Sequence, residues 1–172
     1  MSAPIYIGCD DSGFEAKQAI IAYLDGRGID YVDCGSDEEP SRYPYYAAKV
    51  ASAVSTGKAE RGILICGSGI GMSIAANKFK GVRAAMVTDA YSARLTRRHN
   101  DSNILCLGGR MSGRWQILEI VDVWLNTAYD AGHHEDSLKL IAEMEDAMLG
   151  GTVWCPDELP YEEFEWNPNQ SL

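Results

Sequence analysis

The residues of this chain whose types and spacing best suit chemistry lie in the run Cys66-Gly67-Ser68-Gly69-Ile70-Gly71. Alternating glycines let backbone N–H groups converge on one point, and where such a turn opens a helix the helix dipole favours negative charge there. Gly67, Gly69 and Gly71 are therefore candidate oxyanion binders, with the Ser68 hydroxyl beside them. The same field favours thiolate over thiol at Cys66, which makes its sulfur a candidate base. The competing reading is a tight strand-to-helix turn that carries an unreactive cysteine.

Counting excludes three other loop chemistries. A dinucleotide fingerprint needs G-x-G-x-x-G, and this turn reads G-x-G-x-G. A P-loop closes on Gly-Lys-Ser/Thr, which is missing here. A cysteine phosphatase loop would place an arginine fork six residues after the nucleophile, where this chain has Met72. A thiolate beside an oxyanion cradle, without that fork, fits proton transfer better than attack on phosphorus.

His99-Asn100-Asp101 is a second group, after a segment with Arg94, Arg97 and Arg98. Alone, a histidine at a helix end reads as a solvated cap. Paired with Cys66 it completes the set that an aldose–ketose isomerisation needs: ring opening, proton removal and a stabilised enediolate.

The elements that must position these groups alternate regularly. Strands are predicted over 5–9, 29–34, 62–66, 82–87 and 103–107. Helices are predicted from Ser12 to Arg27, with a Ser12/Glu15 capping box, and over 45–55, 72–79, 91–98, 113–127 and 134–148. The last helix carries an apolar stripe of Leu138, Ile141, Met144 and Met148. Such alternation implies an α/β fold, a five-stranded parallel sheet covered on both faces. Ligands of such sheets bind beyond the carboxyl ends of the strands. That singles out Asp10, Asp11, Tyr43, the Cys66 turn, Asp89 and Gly108-Gly109-Arg110.

Composition narrows the function classes. A net charge of −10 argues against nucleic-acid and anionic-membrane partners. No apolar run approaches the roughly 20 residues of a membrane helix, and the start lacks a signal-peptide pattern, so a cytoplasmic protein is expected. The five cysteines are scattered without a CxxC pair, which suits neither a zinc site nor a disulfide framework. Cys9, Cys34 and Cys106 read as small buried hydrophobes, and Cys155 as inert. Residues 1–149 form one expected domain. Residues 150–172 form a tail with three prolines, several aromatics and no Lys or Arg, expected to wrap over a surface.

Gly8-Cys9-Asp10, Tyr43-Pro44, the stretch from Ile65 through Cys66 to Lys78, Ser92-Ala93 and Arg97 through Asp101 resemble ribose-5-phosphate isomerase type B. That family includes the galactose-6-phosphate isomerase subunits. The likeness runs from about residue 4 to residue 148. It implies a Rossmann-like three-layer α/β/α domain, no metal, no organic cofactor, and a homodimer or dimer of dimers with active sites shared across the interface. By the same likeness Cys66 is the enediol base, Gly67 to Gly71 hold the enediolate oxygen, and His99 opens the sugar ring. Asp10, Tyr43, Ser68 and Asn100 bind hydroxyls, and Arg110 contacts the phosphate.

The departures concern that phosphate. The family commonly has His where this chain has Asp11, and arginines where it has His133 and Ser137. A weaker grip on ribose 5-phosphate follows, with His133 and Arg110 as substitute donors. Ribose 5-phosphate/ribulose 5-phosphate isomerisation remains the default expectation. The alternatives are galactose 6-phosphate, a tetrose phosphate, an unphosphorylated aldose, or a non-catalytic sugar-phosphate-binding subunit.

Overall fold

The computed structural model describes residues 3–36 and 42–151. Strands β1 (Ile5–Cys9), β2 (Tyr31–Asp33), β3 (Gly62–Cys66), β4 (Ala84–Met86) and β5 (Ile104–Gly108) form one sheet in the order β2-β1-β3-β5-β4. Every pairing is parallel. Each strand must therefore be followed by a crossover, and the helices α1 (Phe14–Gly26), α2 (Tyr43–Ser55), α3 (Ile70–Ala76), α4 (Ala90–Asn100) and α5 (Arg114–Asn126) lie on the two faces. A sixth helix, α6 (His134–Leu149), follows α5. The architecture is the expected Rossmann-like α/β sandwich.

Strands β3 and β5 are buried along their whole lengths, which is why they read as unbroken apolar runs. Their side chains still alternate. Ile63, Ile65, Leu105 and Leu107 join the core with α1, α4 and α5, whereas Leu64, Cys66, Ile104 and Cys106 join the core with α2 and α3. Cys9 and Cys106 are fully buried, as expected, and burial pushes both thiols up, Cys9 to about 11. The half-buried Cys34 is raised for the same reason.

Several local expectations are corrected. Ser12 and Glu15 form no capping box: a short 3-10 turn at Asp11–Gly13 precedes α1, and the Ser12 hydroxyl donates to Asp10 Oδ1 at 2.5 Å instead. Gly13, not Ser12, precedes the first turn of α1, so the Ser12 oxygen stands one residue too early to accept from that turn. Helix α2 starts at Tyr43 rather than Tyr45, because Pro44 suits a first turn where no N–H partner is needed. Helix α3 starts two residues early and ends at Ala76, since Gly69 at φ 78° turns the chain straight into it. Strands β2 and β4 are three residues each. Finally, α6 forms, but no residue of it is buried, and Ile141, Met144 and Met148 are exposed. The described residues end at Gly151, so nearly all of the expected 150–172 tail, Cys155 included, lies outside them.

One buried charge ties the layers together without any signal in the sequence pattern. Lys17 on α1 is 1% exposed, and its ammonium donates to both oxygens of Asp33 at 2.8 and 2.9 Å and to the Ser36 carbonyl at 2.9 Å. The contact anchors α1 against the end of β2. Removing one partner strands a buried cation, so Asp33→Ala should lower stability by about 3 kcal/mol. Urea unfolding checks this, and Lys17→Met in the Asp33→Ala background should recover most of the loss.

Candidate active site

Strand order reverses between β1 and β3, since β1 is flanked by β2 on one side and β3 on the other. The crevice beyond their carboxyl ends is where doubly wound sheets bind ligands. Asp10 follows β1 and Cys66 ends β3, so both stand at this crevice. Cys66 is 5% exposed, and its sulfur accepts a hydrogen bond from the Gly69 N–H at 3.1 Å. That bond holds the thiol over its own turn. The turn is locked to β5 from below: Gly109 N–H donates to the Cys66 carbonyl at 2.8 Å, and Arg110 N–H to the Gly67 carbonyl at 3.1 Å.

The surrounding side chains converge on this turn. A Cβ at Gly71 would lie 2.8 Å from the Tyr43 ring, and one at Gly67 would meet Ser12 Oγ at 3.3 Å and Arg110 Cδ at 3.8 Å. Asp10, Ser12, Tyr43, the 66–71 turn and Arg110 therefore belong to one group. Ser68 accepts from the Ile70 N–H at 3.4 Å, and Asp11 sits exposed on the short 3-10 turn alongside. With α3 only seven residues long, an anion at this turn would meet the turn's own N–H groups rather than a long helix dipole.

His99, Asn100 and His133 are elsewhere. Helix α4 leaves the carboxyl end of β4 and ends at Asn100, at the amino end of β5. Its end is fixed by a network the sequence does not display. Arg97, 5% exposed, donates to Asp101 Oδ1 at 2.7 Å and to the Ser102 carbonyl at 2.6 Å, and Arg83 reaches Asp101 Oδ2 at 2.8 Å. Ser102 Oγ accepts from the indole of the fully buried Trp124 at 2.8 Å. Asp101, at φ 43°, closes the helix. His99 beyond this anchor stacks on His134, ring centroids 4.4 Å apart, and His134 packs on His133 at 3.9 Å. Burial and the two neighbouring imidazoles hold His134 below the usual histidine range. One donor atom each from His99, Asp130 and His134 lies within 4.8 Å of the others.

The two groups occupy opposite ends of the sheet. Cys66 pairs with Gly108 at one end of the β3–β5 ladder, and Gly62 with Ile104 at the other. A five-residue strand spans roughly 16 Å, so in one chain His99 cannot reach a substrate held at Cys66. Arg110 lies with Cys66, while His133, exposed at the head of α6, lies with His99.

Comparison with known proteins places this arrangement. Residues 5–141 match the family model described as Ribose/Galactose Isomerase. The chain belongs to that family. It is 46% identical over 142 residues to the Escherichia coli protein named ribose-5-phosphate isomerase B, covering 82% of this chain and 95% of that one. Among solved structures it is similar to ribose-5-phosphate isomerase B of Clostridium thermocellum, with a TM-score of 0.83 and 44% identity over 84% of this chain and 99% of the other. It is similar also to the Mycoplasma genitalium ribose-5-phosphate isomerase B with bound ribulose-5-phosphate, with a TM-score of 0.81 and 36% identity over 85% and 98%. The sequence-based recognition of a sugar isomerase family holds.

Within this isomerase-family turn the glycines differ in what they protect. A Cβ at Gly69 would lie 2.9 Å from the Leu107 backbone on a residue at φ 78°, whereas the nearest atoms to one at Gly71 all belong to the half-exposed Tyr43 ring. Gly69→Ala should therefore cost about 2 kcal/mol of stability, from left-handed strain plus a backbone clash. Gly71→Ala should leave the urea midpoint nearly unchanged while impairing turnover by displacing Tyr43. Parallel unfolding and rate measurements on the two variants check the contrast.

Proposed function

We propose that this protein interconverts ribose 5-phosphate and ribulose 5-phosphate through a cis-enediolate, in active sites completed by two copies of the chain. Cys66 removes the C2 proton of the open-chain aldose and returns it at C1, while the proton on O2 passes to O1. The 67–71 turn supplies N–H groups to the oxygen that carries negative charge between the two steps. Asp10, Tyr43 and Ser68 bind sugar hydroxyls from the same chain. His99 of the second copy opens the ring, with Asn100 beside it, and Arg110 and His133 hold the phosphate. Residues 1–149 are the catalytic domain, and the reaction belongs to the cytoplasm. No helix among the described residues is long and apolar enough to cross a membrane.

The observation that carries this reading is the Cys66 turn with Asp10, Tyr43 and Arg110 gathered around it at the switch point. The separation of His99 from Cys66 supports a shared site. So do the apolar side chains left exposed beside each half: Tyr45, Ile70 and Ile74 near the turn, and Ile141, Met144 and Met148 on α6. Faces of this kind on a protein surface mark association sites.

A second reading, the same chemistry on a different sugar, is favoured by Asp11, His133 and Ser137 at the places where the family commonly carries phosphate donors. Each lost charge-assisted hydrogen bond is worth about 1.5–3 kcal/mol. Kinetics on ribose 5-phosphate, galactose 6-phosphate, a tetrose phosphate and free aldoses decide between the two. A KM for ribose 5-phosphate within about 1 μM–1 mM, with the highest kcat/KM of the panel, supports the first reading. A larger kcat/KM on another sugar supports the second.

Two variants test the mechanism on the preferred substrate. Cys66→Ala should lower kcat by about a thousandfold or more while sparing ligand binding, and retention of a tenth of the wild-type kcat refutes the role. Re-association of inactive Cys66→Ala with inactive His99→Asn protein should restore partial activity through hybrids. Hybrids verified by mass spectrometry and still inactive would refute the shared site.

A further inference from the structure

The chain contains three histidines, and all three gather at one place. They are distant in sequence from each other's elements: His99 ends α4, and His133 and His134 open α6. Asp130, in the connection between α5 and α6, joins them, its backbone N–H donating to the Arg98 carbonyl at 3.0 Å. One ligand atom each from His99, Asp130 and His134 lies within 4.8 Å of the others. Zinc bonds to nitrogen and oxygen of about 2.0–2.1 Å put tetrahedral ligands roughly 3.3 Å apart. The His99 and His134 rings are stacked, so their in-plane lone pairs run side by side, and binding takes a rotamer change that turns one imidazole together with about 1.5 Å of closure.

The donor set selects its ligand class. Two imidazoles and one carboxylate suit zinc, cobalt or nickel, and lack the oxygen-rich shell that calcium or magnesium requires. Arg98 Nε occupies one oxygen of Asp130 at 2.8 Å, and a carboxylate has a second oxygen to give. The neighbouring guanidinium opposes a cation locally, while the net charge of −10 favours one. Three protein ligands leave a fourth position for water.

We propose that His99, Asp130 and His134 form a binding site for a divalent first-row transition metal such as zinc, occupied in competition with the sugar phosphate. The competition rests on the proposed role of His99 in opening the substrate ring. Metal binding itself does not. A zinc ion on the His99 imidazole takes the lone pair used in proton transfer, so zinc at this place inhibits the enzyme rather than serving it.

The test uses the full-length protein, first without any sugar. Zinc affinity is measured by competition with a chromophoric chelator, and cobalt is added as a visible probe. Nitrogen and oxygen ligands give d–d bands without the intense sulfur-to-cobalt charge-transfer band that a cysteine ligand produces. His134→Gln and Asp130→Asn, each checked for an unchanged thermal midpoint, should weaken zinc binding about 10-fold or more. Lys58→Gln, in the exposed turn that follows α2, should not. Equal zinc affinity in wild type and both variants, or a cobalt spectrum dominated by sulfur charge transfer, overturns the site. Ribose 5-phosphate should then raise the apparent zinc dissociation constant. Zinc binding that depends on His134 and Asp130 but ignores every sugar phosphate overturns the competition, leaving the assignment of function to the kinetic panel.

Discussion

Parallel strands have to be joined by crossovers, so a helix that leaves the carboxyl end of one strand must end at the amino end of the next. Everything placed at a strand-to-helix turn here stands on one side of the sheet, and everything placed at a helix-to-strand turn stands on the other. The 66–71 turn is of the first kind and the end of α4 is of the second. Their separation is therefore a property of the topology, not of any loop that could swing. Chemistry that needs groups from both ends has to recruit a second copy of a chain built this way.

Each of the two ends is stiffened by a different device. At the Cys66 end the stiffness is steric: Gly13, Gly69, Gly108 and Gly109 sit where a Cβ would crowd neighbouring backbone, so the loops after β1, β3 and β5 nest closely on one another. At the His99 end it is electrostatic. Arg97 and Arg83 share Asp101, Trp124 is held by Ser102, and Arg97 and Arg61 lie over the Trp124 ring at 5.8 and 5.5 Å. Both devices hold their groups before a substrate arrives, and preorganisation of that kind is where most of an enzyme's electrostatic stabilisation originates.

His133 and Ser137 stand where the family resemblance leads one to expect arginines. Imidazoles accept as well as donate, and a neutral one offers a lone pair that an arginine never has. His133 at one of those places packs on His134, so the departure adds an imidazole beside the His99–His134 pair.

Much of this was legible without coordinates. Apolar runs of strand length, alternating with segments of helical period, report a sheet buried on both faces, because periodicity and burial are local consequences of backbone geometry. The Cys66 turn was legible for the same reason: glycine spacing, a thiol and an adjoining helix all lie within a few residues. Where the competition was between neighbours, local reading failed, as with Ser12, which turns to Asp10 rather than capping α1. Strand order, the burial of Lys17 on Asp33, the Arg97–Asp101–Trp124 anchor and the meeting of His99 with His134 were decided only by the tertiary structure. Each joins residues tens of positions apart or depends on which edge of the sheet a crossover takes, and no periodicity along the chain encodes that choice.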